Sequence, residues 1–348
     1  MNLKHIRKFC FYGMVAMMTL VFVAIDLSPA LAAEKIGTFQ KILEADGDFA
    51  EITATLEKSI ADSGLELLGQ MDLAVPDNAQ KCRTYVLTSP TFNEAAMGSI
   101  SADAVSGLIL RIGVYEADAK VHINIANPDA LAHVYFEGES ARERLLAAAA
   151  SAKKELIRTI QSVQGRIVNA QQEPIREAKQ YRGYNGDGPA KMLAKYRDFR
   201  ASLLTAKEVD GATTLEQIID EIKNRAAVTL QEDGEKGWKV VAVKVFDDNA
   251  AWLGITNLYT ETKCININSD FRGGKSAGNR YPGVDHAPAL PLEIVVYKGE
   301  NGKWQVAHYG QMWRMQLYFW DSGYRAFMKN TLIPKIIADS IERMIKGS

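Results

Sequence analysis

The chain has 348 residues, with 41 Lys and Arg set against 42 Asp and Glu, and 47% of its residues are apolar. That length suggests two domains, and that composition can bury a proper core. The near-balanced charge, with no long run of one sign, excludes a polybasic nucleic-acid binder.

The first residues read as a targeting segment. Lys4, Arg7 and Lys8 form a basic head, Phe9 to Ile25 is an apolar run, and Ala30-Leu31-Ala32 is a small-residue box. This pattern predicts a signal peptide over 1–32, cleaved after Ala32. An uncleaved anchor fits less well, because the run is short for a span of about 20 residues. No later stretch is long and apolar enough to span a bilayer. The expectation is a periplasmic or secreted protein.

Residues 33–165 then read as one α+β unit. A short strand over 35–43 leads to a helix opened by Asp48-Phe49-Ala50-Glu51, a capping pattern with an acid three residues on. Phe49, Ile52, Leu56 and Ile60 share one face of that helix. A strand follows over 65–73. Leu108, Leu110, Ile112 and Val114 alternate as the buried face of another strand should. The polar turn "EADAK" joins it to a partner strand from Val121 to Ile125. A helix from about Ala141 to Val163 closes the unit, with Leu145, Ala148, Ala152, Leu156 and Ile160 along one side.

Residues 166–212 match neither neighbour and read as a helical linker. "RGYNGDGP" is turn-rich, and "PAKMLAKYRDFRASLL" over 189–204 reads as a helix with Pro189 in its first turn.

Residues 213–348 repeat the order of the first unit. Thr213-Thr214-Leu215-Glu216 opens a helix whose face carries Leu215, Ile218, Ile219 and Ile222. A strand follows over 238–246. Next comes "LPLEIVVYK", a turn containing Asn-Gly, and a strand from Trp304 to His308. A final helix runs from about Leu332 to Ile345, with Ile336, Ile337, Ile341 and Met344 along one side. When Tyr115 is set on Tyr297, Leu108, Leu110, Ile112 and Val114 fall on Leu290, Leu292, Ile294 and Val296. Cys82 precedes Tyr115 by the same number of positions as Cys264 precedes Tyr297. The expectation is two tandem copies of one α+β domain.

The first copy resembles the bacterial family known as domain of unknown function 302. "SGLELLGQMDL" stands where that family has a glycine, a strand and an acid. "VLTSPTF" stands at its strand ending in proline, "LILRIGVYE" at its L-P-L-x-x-x-V-Y-E strand, and "NPDAL" at its Asn/Asp-Pro before the final helix. "LPLEIVVYK" matches the strand motif better than the first copy does, but the second copy has Tyr309-Gly310-Gln311 in place of Asn-Pro. The resemblance implies a β-α-β-sheet-α layout similar to the TATA-binding-protein fold. It implies no activity and no catalytic residue.

Few residues invite chemistry. Equivalent cysteines can meet near a pseudo-twofold axis, so Cys82 and Cys264 are a disulfide candidate in an oxidising compartment. The alternative is two separated thiols buried as small apolar residues. No C-x-x-C supports thioredoxin-type chemistry. His286, His308 and Met312, with Cys264, are ligand types that copper or a haem iron accepts. The more ordinary reading packs Met312 into a hairpin-to-helix junction. "FRGGKSAGNRYPG" over 271–283 lacks the glycine spacing of a phosphate loop and reads as a mildly basic loop with Arg272, Lys275 and Arg280.

Tyr115 and Tyr297 point away from the helix-covered sheet face, and Arg111 and Glu293 share that open face. An open face needs a cover or a ligand, so these four are the candidate ligand-binding residues. Either the open faces of the two copies meet, or they form a shared concavity. No catalytic motif appears. The expectation is therefore a non-catalytic envelope protein that binds a small ligand or a protein partner between its copies, without nucleic acid, cofactor or a membrane span after cleavage. The alternative is a redox protein, or one handling metal or haem, that uses Cys82, Cys264 and the His308/Met312 region.

Overall fold

A computed structural model describes residues 34–75, 80–188, 191, 195–233, 237–265 and 283–347. The leader read over 1–32, the basic loop over 271–282 and part of the helix read over 189–204 lie outside the described residues. Among those described, no helix is long and apolar enough to cross a membrane.

The first half runs β1 (Lys35–Ala45), α1 (Phe49–Ala61), β2 (Glu66–Asp72), β3 (Cys82–Thr88), α2 (Pro90–Ala96), a 3-10 turn (Ala102–Leu108), β4 (Ile109–Ala117), β5 (Lys120–Ala126), α3 (Pro128–Tyr135) and α4 (Arg142–Gln161). Next come β6 (Arg166–Glu177) and the short α5 (Ala178–Tyr181). The second half runs β7 (Leu203–Val209), α6 (Leu215–Asp233), β8 (Lys239–Asp247), β9 (Ala250–Thr256), α7 (Leu258–Ile265), a second 3-10 turn (Gly283–Ala289), β10 (Leu292–Lys298), β11 (Trp304–Tyr309), α8 (Gln311–Phe319), α9 (Gly323–Lys329) and α10 (Ile333–Lys346).

These elements make an α+β protein with two antiparallel sheets. The first has strand order β2-β3-β4-β5-β1-β6, and the second has β8-β9-β10-β11-β7. Strand for strand the two orders correspond, and β6 is an addition at one edge of the first. Register follows the alternation in the sequence: Ile112 pairs Ile125, and Ile294 pairs His308.

Local chemistry explains the starts of the first helix in each half. Asp48 Oδ1 accepts from the Ala50 amide at 2.7 Å, capping α1. At α6 the cap is Thr214, and its reciprocal partner is Gln217, not the acid at 216. Thr214 Oγ1 accepts from the Gln217 amide at 3.2 Å, and Gln217 Oε1 accepts from the Thr214 amide at 3.0 Å.

One face of the first sheet is covered by α1 and α4. Phe49, Ile52, Leu56 and Ile60 pack there with Leu110, Ile112, Val114, Leu145, Leu156 and Ile160. On α4 Ala149 and Ala152 are buried, whereas Ala148 sits at the edge of that core. The other face of the same sheet joins a second, larger core that includes both β9 and β10, so the two halves share one interior. On α10 the buried side is Ile337, Ile341, Met344 and Ile345, and Ile336 turns outward at 36% exposure. That assignment departs from the periodic reading by one position.

The segment read as a helical linker is a different object. β6 extends the first sheet beside β1, and β7 pairs β11 from Leu203–Tyr309 to Val209–Trp304. β7 occupies in the second sheet the place β1 holds in the first. The described end of the helix read over 189–204 is instead a 3-10 turn, Arg200–Ser202, and Leu203 opens a strand because the open edge of β11 recruits it. Tertiary pairing overrides local preference there.

Candidate functional site

The open faces meet. The 3-10 turn before β10 lies across β3, β4 and β5, and the 3-10 turn before β4 lies against β9 and β10. Gly113 makes room for the first of these contacts. A Cβ on it would stand 2.7 Å from Pro288 Cδ and 2.5 Å from Asn124 Oδ1. The carbonyls of that turn are answered by side chains of the first sheet. Thr84 Oγ1 donates to Ala287 O at 2.9 Å, Asn124 Nδ2 to Asp285 O at 2.6 Å, and the Cys82 thiol to Val284 O at 3.7 Å.

Arg111 and Glu293 sit at matching positions of β4 and β10, and they form a fully buried ion pair across the junction. Tyr135 Oη donates to both carboxylate oxygens of Glu293, at 3.1 and 3.2 Å. Arg314 Nε lies 3.8 Å from Glu293 Oε2, and its Nη2 donates to the carbonyls of Ala289 and Pro291. The Trp252 ring lies 5.9 Å from the Arg111 guanidinium. Burial by itself would lower the basicity of Arg111, but the Glu293 charge, the Tyr318 and Tyr135 hydroxyls and the hydrogen bond to Glu293 together outweigh it and leave it raised. Burial and then the Glu293 charge push the Tyr135 hydroxyl well above its usual range. Tyr135, Phe199 and Tyr309 continue the contact as an aromatic cluster, with ring centres 5.0 to 5.5 Å apart.

The other two candidates do not join this group. Tyr115 is buried, stacks on His122 at 5.1 Å, and its hydroxyl accepts from Gln172 Nε2 at 3.3 Å. Tyr297 is half-buried on β10, and burial raises its hydroxyl pKa.

Cys82 and Cys264 are both buried and unpaired. The disulfide expectation is corrected here. Equal sequence spacing places Cys82 at the head of strand β3 and Cys264 inside helix α7, which are not matching elements. Burial, with nearby carboxylates in support, pushes the Cys82 thiol up, and burial pushes Cys264 up to about 12. Thiols so raised are poor nucleophiles and poor metal ligands at neutral pH.

The residues weighed for metal or haem are also held separately. His308 Nδ1 contacts Tyr309 O at 3.1 Å, and burial lowers its pKa. His286 lies between Phe39 and Phe319 with Nε2 3.0 Å from Asp321 Oδ1. Met312 lies in α8 and packs against the shared core. Among the described residues, no group of three or more His, Cys, Asp or Glu is gathered to hold a metal.

Sequence reasoning missed Arg176. This β6 residue is 4% exposed and makes a forked pair with Asp187, its Nε at 2.9 Å from Oδ1 and its Nη2 at 2.6 Å from Oδ2. It also donates to Gln316 O and Leu317 O near the end of α8, at 3.0 and 3.1 Å. Tyr181 and Tyr184 flank it, 5.4 and 5.1 Å away. A segment read as a linker thus clamps the second half onto the first. Its available signal was one arginine shortly before a Tyr- and Asp-bearing turn, too common a pattern to single out.

One cleft of about 750 Å³ opens beside the junction. Phe49, Ala54 and Glu57 of α1 form one wall, Asp72, Leu73, Cys82 and Arg83 form the floor, and Leu258 and Thr262 of α7 close it from the second half. Arg83 holds Asp72 with Nε at 2.6 Å and Nη2 at 3.2 Å, and reaches Glu57 with Nη1 at 2.9 Å. Tyr85 Oη donates to the same Glu57 oxygen at 2.8 Å. Lys81 Nζ stands 5.8 Å from the Phe49 ring centre. The cleft therefore offers apolar walls and a short row of both charges. Among the described residues no histidine lines it, and burial raises the Cys82 thiol pKa.

The fold and this junction define a mixed α+β protein with two sheets packed by their open faces. No family model and no curated protein matches the chain. Among solved structures it is similar to "uncharacterized conserved protein DUF302 from Bacillus stearothermophilus", at 15% identity and a TM-score of 0.30. The match covers 39% of this chain and 100% of that one. That protein carries the name of the same family that the motifs between Ser63 and Leu131 resemble.

Proposed function

We propose that the chain is an exported, periplasmic, non-catalytic binding protein made of two copies of one domain. Its ligand is a small molecule with an apolar body and a charged or hydrogen-bonding end. The cleft between α1, β2–β3 and α7 supports this reading more than any other feature. Its volume falls within the range of small-molecule pockets, roughly 300–1,000 Å³. Apolar walls with a few convergent charged groups are what such pockets use for affinity and orientation. The leader pattern over 1–32 supports export. The Arg111/Glu293 face serves as the cement between the copies on this reading, because its opposite charges pair with each other across the junction.

Native mass spectrometry of the protein taken from its host envelope tests the reading. The expected result is a bound small-molecule mass that Ala54→Trp removes without lowering the melting temperature. Ala54 is exposed on the cleft wall, so the indole fills the cleft and leaves the core alone. A bound mass retained unchanged by Ala54→Trp would contradict the assignment.

A further inference from the structure

The second half carries a groove in the place that the cleft takes in the first, between α6 and the outer end of β8. It measures about 640 Å³. Its base is apolar: Leu215 and Ile219 on α6, Val243 and Val245 on β8, and Trp304. Val245 is 48% exposed, a large value for a valine beside other apolar side chains. Trp304 is fixed as the floor, since its indole N–H donates to Thr213 O at 2.8 Å.

The rim differs from that of the cleft. Glu216 and Asp220 line one side, Asp247 and Asp248 the other, and Lys223 is the one cation among the lining residues. Lys223 stands 3.5 Å from Asp220 Oδ1, so it answers one carboxylate of the four. Lys298 lies over the Trp304 ring at 5.6 Å, and Lys244, on the neighbouring stretch of β8, is held by Glu66 at 2.6 Å. In the cleft, by contrast, Lys81 and Arg83 balance Glu57 and Asp72. β8 is the terminal strand of its sheet, with β2 against the stretch at Val241–Ala242, and the groove lies on the face toward α6 at the other end of that strand. Val243 and Val245 present a stripe with the two-residue period of a strand.

We propose that this groove docks a segment of a partner protein in which Lys or Arg alternates with apolar side chains. The apolar base would bury the partner's apolar positions, and the carboxylate rim would select its charge. Complementary charge of this kind sets specificity and speeds encounter, and it weakens with salt. The proposal rests on a surface separate from the ligand cleft, so either can fail without the other.

The test uses the full chain and two fluorescein-labelled synthetic peptides, one alternating leucine with lysine and one alternating leucine with glutamate, followed by anisotropy. The lysine peptide should bind and the glutamate peptide should not. Asp220→Lys combined with Asp248→Lys should weaken the lysine peptide by about tenfold or more, and raised salt should weaken it for the original chain. Glu94→Lys combined with Glu143→Lys, which reverses two exposed carboxylates in the first half, should leave binding within about twofold. Circular dichroism melts of both double variants establish that each is folded. Failure of the lysine peptide to bind, equal binding of the glutamate peptide, or equal losses in the two double variants would each overturn the proposal.

Discussion

Glu293 answers two guanidinium groups and a phenol at once. Burying ions is costly, several kcal/mol each even after relaxation, and only good geometry with further hydrogen bonds offsets it. Here the Arg111 pair, two contacts from Tyr135 and the approach of Arg314 supply that geometry. Removing the carboxylate charge leaves two buried cations with carbonyls and rings for company. Glu293→Gln is therefore expected to lower stability by about 3–5 kcal/mol. Arg111→Met in the same chain should restore part of that loss, giving a coupling energy of at least about 1 kcal/mol in a denaturant double-mutant cycle. Simple additivity of the two substitutions would mean that the pair does not hold the junction. Period-two alternation made it legible that Arg111, Glu293 and both tyrosines leave the helix-covered faces. It could not tell a face that binds a ligand from one that binds its own counterpart, because alternation reports direction and not what lies opposite. Tyr115, turned to His122, and Tyr297, left half-exposed, show how residues on one face can part company once strands twist.

At the scale of elements, β2 and β8 are matching edge strands that run against each other. Both carry a register shift at the same place, between Leu67 and Gly69 in β2 and between Val240 and Ala242 in β8. Such bulges bend an edge strand and disrupt its ladder. Gly69 permits the approach: a Cβ there would stand 2.1 Å from Val241 O and 3.2 Å from Ala242 Cβ. The obstacle is backbone, which does not yield as a side-chain tip would. Gly69→Ala should cost about 1–3 kcal/mol, as overpacking does, and thermal melts would show it. A change within about 0.5 kcal/mol, typical of surface substitutions, would mean that β2 and β8 are not held this closely. The first and last helices of each half and the β4–β5 and β10–β11 hairpins were readable because capping residues, Asn-Gly and periodic apolar positions are local signals; β9 and α7, without a clear period, were not. Nor were β6 and β7, since each is a strand only by virtue of the edge it joins. The cysteines mislead for a related reason: equal spacing from a tyrosine counts residues along the chain, and the loops between differ.

The whole molecule places its main core across the junction. Residues from β1, β3, β4 and α3 of the first half share one apolar cluster with β9, β10, α6, α8 and α10 of the second, while a smaller cluster belongs to α1, α4 and the covered face of the first sheet. Residues Ile36–Ser348 accordingly form one compact unit. Arg176 adds a polar clamp from β6 to the end of α8. The sequence repeat pointed to two like units, and the two sheets do share a strand order. The open faces of the two units meet, one of the two arrangements that the strand alternation left open, and they bury a common core. Differential scanning calorimetry of the chain lacking residues 1–32, with and without Glu293→Gln, tests this most directly. The expected result is a single transition, with calorimetric and van't Hoff enthalpies in agreement, that moves as a whole to lower temperature in the variant. Two resolved transitions, of which Glu293→Gln shifts only one, would contradict it.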